Sequence, residues 1–285
     1  LAGFPARLRA SIRKLHPDAK DALTMTNRAS DAIPVVFLQG IGGAARLWDP
    51  QVASFKAAGY EPVALDLPGY GARPPVDTMT FDMLAADVEA AIDARKLDKP
   101  VIIGHSLGGM IAQTCLRRRS NGYRAAVLSG TSPAFGNPSG DFQKKFVADR
   151  LAPLEAGKTM ADMAPDVAKQ LMGPNADPAN RALLIEVMGA ISPRTYRAAV
   201  QCLVAFDERA NLGNIQVPVL CLVGSLDNNA PPAMMEKMAS KIPGARYALL
   251  PGIGHMPNLE APQAFDAAIF DFLRDALSRA AASVE

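Results

Sequence analysis

The stretch that most constrains this chain is VIIGHSLGG, residues 101–109. Four apolar or small residues run into Ser106, and Gly104 and Gly108 stand two positions to either side of it. A serine at a tight strand-to-helix turn is forced into a strained backbone conformation, and its neighbours two away must lack side chains so that strand and helix can approach. The run that follows, residues 107–119, predicts a helix whose first amides point back at the same spot and favour developing negative charge there. Ser106 is therefore the candidate nucleophile. A Gly-Ser-Gly pattern also arises as ordinary turn chemistry, so the assignment depends on what surrounds it.

The surroundings are those of a parallel sheet. Apolar runs occur at residues 33–38 (IPVVFL), 61–67, 101–104, 125–129, 217–223 and 247–250, and the first two end in Gly40-Ile41-Gly42-Gly43 and Pro68-Gly69-Tyr70-Gly71. Continuous apolar runs alternating with helices indicate strands buried on both faces. Helices are expected at 47–58, at 80–95 with Phe81, Leu84, Val88 and Ile92 on one face, after Ser106, at 232–241 and at 262–277. Between residues 131 and 214 only helical periodicity occurs, broken by Pro and Gly, over 142–151, 160–172, 178–191 and 194–209.

The expected class is α/β, a mostly parallel doubly wound sheet with a helical lid insertion. Its parts are an N-terminal amphipathic segment (residues 1–20), a core domain (21–130 and 215–285) and the lid (131–214). The first of these carries a short basic amphipathic helix at 6–16, which packs on the domain edge or touches an anionic surface; an early strand is expected at 22–28. A chain of 285 residues can bury one large core of this kind.

Charge and cysteine usage narrow the function classes. The balance of 30 basic and 28 acidic residues leaves a formal +2. The only like-charged run, Arg117, Arg118 and Arg119, reads as the solvated end of a helix, so nucleic-acid binding gets no support. Cys115, Cys202 and Cys221 cannot all pair and sit in apolar surroundings, which implies reduced thiols and a cytoplasmic setting. No run approaches the roughly 18 apolar residues of a membrane span, and no apolar signal segment opens the sequence. The histidines and cysteines lack metal-ligand spacing, and Gly40, Gly42 and Gly43 do not supply the Gly-x-Gly-x-x-Gly of a dinucleotide loop. The expected partner is a small-molecule substrate; the oligomeric state stays open.

Reacting groups in open α/β sheets gather at the carboxyl ends of the strands. Ser106 follows the central strand, Asp227 follows the strand ending at Gly224, and His255 follows the last one. A serine hydroxyl is too weak an acid to attack unaided, so an imidazole must take its proton and later return it. His255 is the candidate base and Asp227 the carboxylate that orients it. The bland alternatives are a surface loop histidine and a turn-capping aspartate before Pro231 and Pro232. His16 and His105 are less well placed, the latter as a packed neighbour of the nucleophile, and Asp66 is expected to anchor the turn at 68–71. Acyl transfer further needs two backbone amides aimed at the oxyanion: those of Leu107 and Ile41 are the candidates, with a plain Gly-rich turn as the alternative for the second.

With these residues in view, the chain resembles the α/β-hydrolase fold superfamily over residues 33–277. The resemblance is carried by Gln39 to Gly43 with Trp48, the Asp66-Leu67-Pro68-Gly69-Tyr70-Gly71 turn, the elbow at 104–109, residues 224–227, and Gly254-His255-Met256-Pro257-Asn258-Leu259-Glu260. Within the superfamily it is most similar to the 3-oxoadipate enol-lactonase group and carboxylesterases. That implies a serine hydrolase cleaving a small carboxylic ester or (enol-)lactone through an acyl-enzyme, with neither metal nor organic cofactor. One departure is Gln39, where the family usually has His; because the oxyanion donor is the Ile41 amide, loop support should change rather than the hole itself. Two other readings stay open: a C–C bond hydrolase of ring-cleavage products using the same triad, though those relatives more often have Asn or Ser at the place of His105, and a non-catalytic receptor on a hydrolase fold.

Specificity would reside in the lid. Met160, Met163, Met172, Met188, Phe135 and Phe142 either roof the pocket or pack the lid's own core. Arg150 and Arg194 either receive a substrate carboxylate or are merely solvated.

Overall fold

The apolar runs become six strands. Along the chain the elements are β1 (Pro34–Leu38), α1 (Asp49–Ala57), β2 (Glu61–Leu65), α2 (Phe81–Ala94), β3 (Val101–His105), α3 (Leu107–Arg118) and β4 (Ala125–Ser129). Four helices follow, α4 (Asp141–Glu155), α5 (Met160–Leu171), α6 (Pro178–Gly189) and α7 (Pro193–Leu203). The chain then returns to the sheet with β5 (Val219–Gly224), α8 (Pro232–Ala239), β6 (Arg246–Leu250), the short α9 (Pro257–Glu260) and α10 (Pro262–Ala282). The computed structural model describes residues 32–282 except 138; the helix expected at 6–16 and the strand at 22–28 lie outside the described residues.

All strands pair in parallel in the order β2-β1-β3-β4-β5-β6. Successive side chains on a strand face opposite ways, and each face has its own cover. Val35, Phe37, Val101, Ile103 and Leu222 pack with Phe55 of α1 and Phe265 and Phe272 of α10. Val36, Leu38, Ile102 and Leu128 pack with Leu84 of α2, Ile111 of α3 and Met235 of α8. Burial on both faces explains why the inner strands β1, β3, β4 and β5 read as unbroken apolar runs; the edge strands β2 and β6 are only partly buried and carry Glu61 and Arg246 at their starts. The strand order reverses between β1 and β3, where Leu38 pairs with Gly104; the loop after β1 and the turn after β3 therefore emerge side by side, the place where such sheets build their sites.

The helical insertion between β4 and β5 shares the core of the sheet: Leu151, Met160, Met163, Met188 and Tyr196 join the cluster that holds Val36 and Ile102. Its helix starts are chemically marked. Thr159 and Asp162 form a reciprocal capping box at α5, and Asp177 caps α6 through the Ala179 amide at 2.8 Å.

One expected helix is shorter than its periodicity. The run at 194–209 stops at Leu203, because the following residues pair with the chain after β4. Asp207 bridges Ala134, the Phe135 amide donates to the Phe206 carbonyl (2.9 Å), and the Glu208 amide donates to the Pro133 carbonyl (2.8 Å). Phe206, apolar and in helical phase, is buried against Phe81 instead. Among the described residues no helix is long and apolar enough to cross a membrane.

Candidate active site

Ser106 occupies the turn between β3 and α3 with φ 53° and ψ −116°, a left-handed conformation that ordinary residues adopt only where the surroundings enforce it. Sterics enforce it here. A Cβ on Gly104 would lie 2.2 Å from the Gly108 carbonyl oxygen, and one on Gly108 would lie 2.2 Å from that of Leu38. The Ser106 amide donates to the Ser129 carbonyl (2.9 Å), and the Thr131 hydroxyl donates to the Ser106 carbonyl (2.8 Å). The two glycines singled out in the sequence are thus the points where α3 meets β1 and β3.

Asp227 and His255 come together from the ends of β5 and β6. His255 Nδ1 and Asp227 Oδ2 are 2.8 Å apart, and both side chains are buried. Donation from Nδ1–H to the carboxylate leaves Nε2 as the basic nitrogen. The other oxygen, Oδ1, accepts from the amides of Asn229 (2.8 Å) and Ala230 (2.9 Å). Burial works to raise the Asp227 pKa, but the His255 hydrogen bond and charge and these two amides outweigh it and hold the carboxyl below the usual carboxylate range. Ser106 and His255 line the same cavity. The serine hydroxyl makes no hydrogen bond to the ring, a contact that commonly tightens only in complexes with substrate.

The histidine loop is held by two residues whose part the sequence did not disclose. Glu260 Oε2 accepts from the amides of Gly254 (2.9 Å) and Gly173 (2.7 Å), while Oε1 accepts from that of Met256 (2.9 Å). One carboxylate therefore grips the residues on both sides of His255 and ties them to the turn between α5 and α6; the His255 amide adds a bond to the Leu171 carbonyl at 2.7 Å. His105, expected only as a packed neighbour, places Nε2 2.6 Å from the His255 carbonyl oxygen, so that Nε2–H donates. Burial pushes its pKa down to about 3, which keeps the ring neutral.

The loop after β1 forms the opposite wall. A Cβ on Gly40 would lie 3.1 Å from the Ser106 Cβ. The amides of Ile41 and Leu107 make no hydrogen bond among the described residues, and the Tyr70 hydroxyl steadies Ile41 by donating to its carbonyl (3.0 Å). Gln39 supports the loop from beneath: oriented to satisfy its neighbours, its side-chain amide donates to the Leu65 carbonyl (2.6 Å) and accepts from the Leu67 amide (3.2 Å). Asp66 accepts from the Ala45 amide (2.7 Å) and abuts Gly71, as an anchor of that turn would.

These walls enclose a cavity of about 600 Å³ whose lining is mostly apolar. Of the six residues expected either to roof it or to pack the lid's own core, Met188, Phe135 and Phe142 line it, with Phe142 largely exposed. Met160, Met163 and Met172 are buried elsewhere, in the core clusters. Arg194 lies outside the cavity and pairs with Asp77 (Nε to Oδ1 2.7 Å), whereas Arg150 is part of the lining. Cys115, Cys202 and Cys221 are buried thiols whose pKa burial raises to about 12. Among the described residues no three His, Cys, Asp or Glu side chains gather as metal ligands would.

Comparison with known proteins gives the scaffold a context. The profile of the Alpha/beta hydrolase family matches residues 35–268. A pimeloyl-[acyl-carrier protein] methyl ester esterase of Neisseria meningitidis is 28% identical over 260 residues, covering 87% of this chain and 95% of that protein. The crystal structure of the enol-lactonase from Burkholderia xenovorans superposes with a TM-score of 0.79 at 25% identity, over 87% of this chain and 94% of the other. A bromoperoxidase from Bacillus anthracis superposes with a TM-score of 0.78 at 20% identity, over 85% and 92%, a likeness of fold alone. One scaffold bears several named reactions here, so the reaction must be argued from the site.

Proposed function

The chain belongs to the alpha/beta hydrolase family, and from that premise we propose that it is a serine hydrolase cleaving a small carboxylic ester or (enol-)lactone through an acyl-enzyme. The observation that carries the reading is the buried His255–Asp227 pair, 2.8 Å from nitrogen to oxygen, beside the cavity into which the strained elbow presents Ser106.

In this reading His255 Nε2 takes the Ser106 proton as Oγ attacks the carbonyl carbon, and then returns it to the leaving alkoxide. Asp227 holds the imidazole in the tautomer that frees Nε2 and stabilises its charged form. The uncommitted amides of Ile41 and Leu107 receive the developing oxyanion; a donor of this kind is worth about 10²–10³ in rate. Water then attacks the acyl-enzyme with His255 again as base. The helical segment 131–214 serves as the lid.

Esters and lactones are favoured over C–C bonds because these groups supply what acyl transfer needs, whereas C–C cleavage also requires protonation of a carbon. The names of the esterase and enol-lactonase relatives point the same way. The test is a panel of short p-nitrophenyl esters, lactones and a vinylogous diketone, compared by kcat/KM in wild type and Ser106→Ala. Ester or lactone turnover that falls by about four orders of magnitude in the variant supports the proposal. Best turnover of the diketone would move the protein to the C–C hydrolases, and tight ligand binding without turnover would make it a receptor.

A further inference from the structure

The cavity holds a charge that its own walls leave unanswered. Its lining contains no Asp, Glu or Lys, and Arg150, on α4, is its one permanently charged side chain among the described residues. Other arginines of the chain meet carboxylates: Arg73 pairs with Asp87, Arg117 with Glu208, Arg194 with Asp77 and Arg246 with Asp271. Arg150 pairs with none among the described residues. Its guanidinium instead lies over the Phe146 ring, 5.3 Å from the centroid, a cation–π contact. Tyr196, buried and also in the lining, lies close enough for the guanidinium charge to act on its phenol. Burial raises the Tyr196 pKa more than the adjacent guanidinium lowers it, so the phenol stays protonated and can donate beside that group.

An unpaired cation in a mostly apolar cavity is costly once water is displaced, and becomes favourable when an anion arrives with the ligand. Resting on the hydrolase reading of this cavity, we propose that the substrate carries a carboxylate remote from the scissile carbonyl, bound by Arg150 with Tyr196 beside it. A carboxylate fits better than a phosphate. One planar guanidinium matches a monoanion in bidentate fashion, whereas a phosphate near its dianionic form calls for further cations, and the lining has none.

The experiment compares matched substrates: methyl half-esters of linear dicarboxylic acids of increasing length, each against the methyl ester of the monocarboxylic acid of equal length. Enzymes are wild type, Arg150→Gln, Arg150→Lys and, as a control outside the cavity, Arg197→Gln, each checked by circular dichroism and thermal melting. At one or more chain lengths wild type should prefer the half-ester by about tenfold to a hundredfold in kcat/KM, the range for a hydrogen-bonded charge pair. That ratio should collapse toward parity in Arg150→Gln, persist in part in Arg150→Lys, which keeps the charge without the fork, and stay as it was in Arg197→Gln. Calorimetric titration of Ser106→Ala with the same pairs gives the comparison without turnover.

Neutral esters hydrolysed through Ser106, with no half-ester preferred at any length, would overturn the carboxylate proposal and leave the hydrolase reading standing. A preference that survives Arg150→Gln, or a stronger one for phosphate-terminated esters, would also overturn it. Tighter calorimetric binding of half-esters without turnover of either type would uphold the anion site while removing the hydrolase reading.

Discussion

Replacing Glu260 by Gln should loosen the histidine loop by a calculable amount. Oε2 accepts two amides, from Gly254 and Gly173, and Oε1 accepts one, from Met256. A glutamine settles with its oxygen where two donors converge, which turns its NH₂ group toward the Met256 amide, donor against donor. One charge-assisted bond is lost, worth about 1.5–3 kcal/mol, and two become neutral. Because Glu260 is only half-buried, about 2–3 kcal/mol in total is expected. For a folded unit of this size each kcal/mol moves the melting temperature by about 2–4 °C, so Tm should fall by about 4–12 °C. Glu260→Ala, which strands all three amides, should cost more, about 3–6 kcal/mol, within reach of the whole margin of a typical fold. Activity should respond as well, since the bonds flank His255. A displacement of the base by about 1 Å can cost up to about 10² in rate, and a fall in kcat of tenfold or more is expected well below the melting temperature. Urea denaturation and steady-state kinetics on one ester read both quantities. Stability within about 0.5 kcal/mol of wild type, with unchanged kcat, would show that this carboxylate does not position the loop.

Two further outcomes follow from the same geometry. Asp227→Asn should lower ester turnover by about 10⁴ with the fold intact, because an amide favours the wrong imidazole tautomer; near-normal kcat/KM would mean that another group orients His255. The folded protein holds His105 neutral with its pKa pushed down to about 3 by burial, whereas an unfolded histidine takes up a proton near pH 6.5. The resulting stabilisation is complete above about pH 6.5 and is lost as pH falls toward 3, by up to about 1.4 kcal/mol per pH unit. His105→Gln should therefore flatten the fall in urea stability between about pH 4.5 and 6.5 by one proton's worth, and an unchanged slope would show that His105 is not held neutral.

The parts of this molecule that could be read in the sequence are those where one local constraint admits one residue type. Gly104 and Gly108 announce the elbow because a side chain at either would strike backbone oxygen. The inner strands are legible because burial on both faces removes polar residues from them, and the candidate reacting groups because they stand at strand ends. The rest depends on distances that sequence spacing does not encode. Nothing in the periodicity separates Phe206, buried beyond the end of α7, from a further helical turn. Arg150 and Arg194 look alike until one is found in the cavity and the other on Asp77. The sequence marks His105 as a packed neighbour of Ser106 and Glu260 as the end of a motif but not the bonds they make, since the carbonyl and amides they engage belong to a loop whose path depends on the whole sheet.

Covalent trapping reads out directly whether Ser106 is an activated nucleophile. A small fluorophosphonate is attacked by a serine activated as a nucleophile, and in the proposed mechanism the tetrahedral phosphoryl adduct would occupy the place of the oxyanion between the Ile41 and Leu107 amides. Mass spectrometry of the digested protein should find a single adduct, on the peptide carrying Ser106. The adduct should form at a rate that drops sharply in Asp227→Asn, and it should be absent in Ser106→Ala. An adduct at another residue formed equally fast in Ser106→Ala, or no adduct in a folded wild-type enzyme that turns over esters, would contradict that role of Ser106.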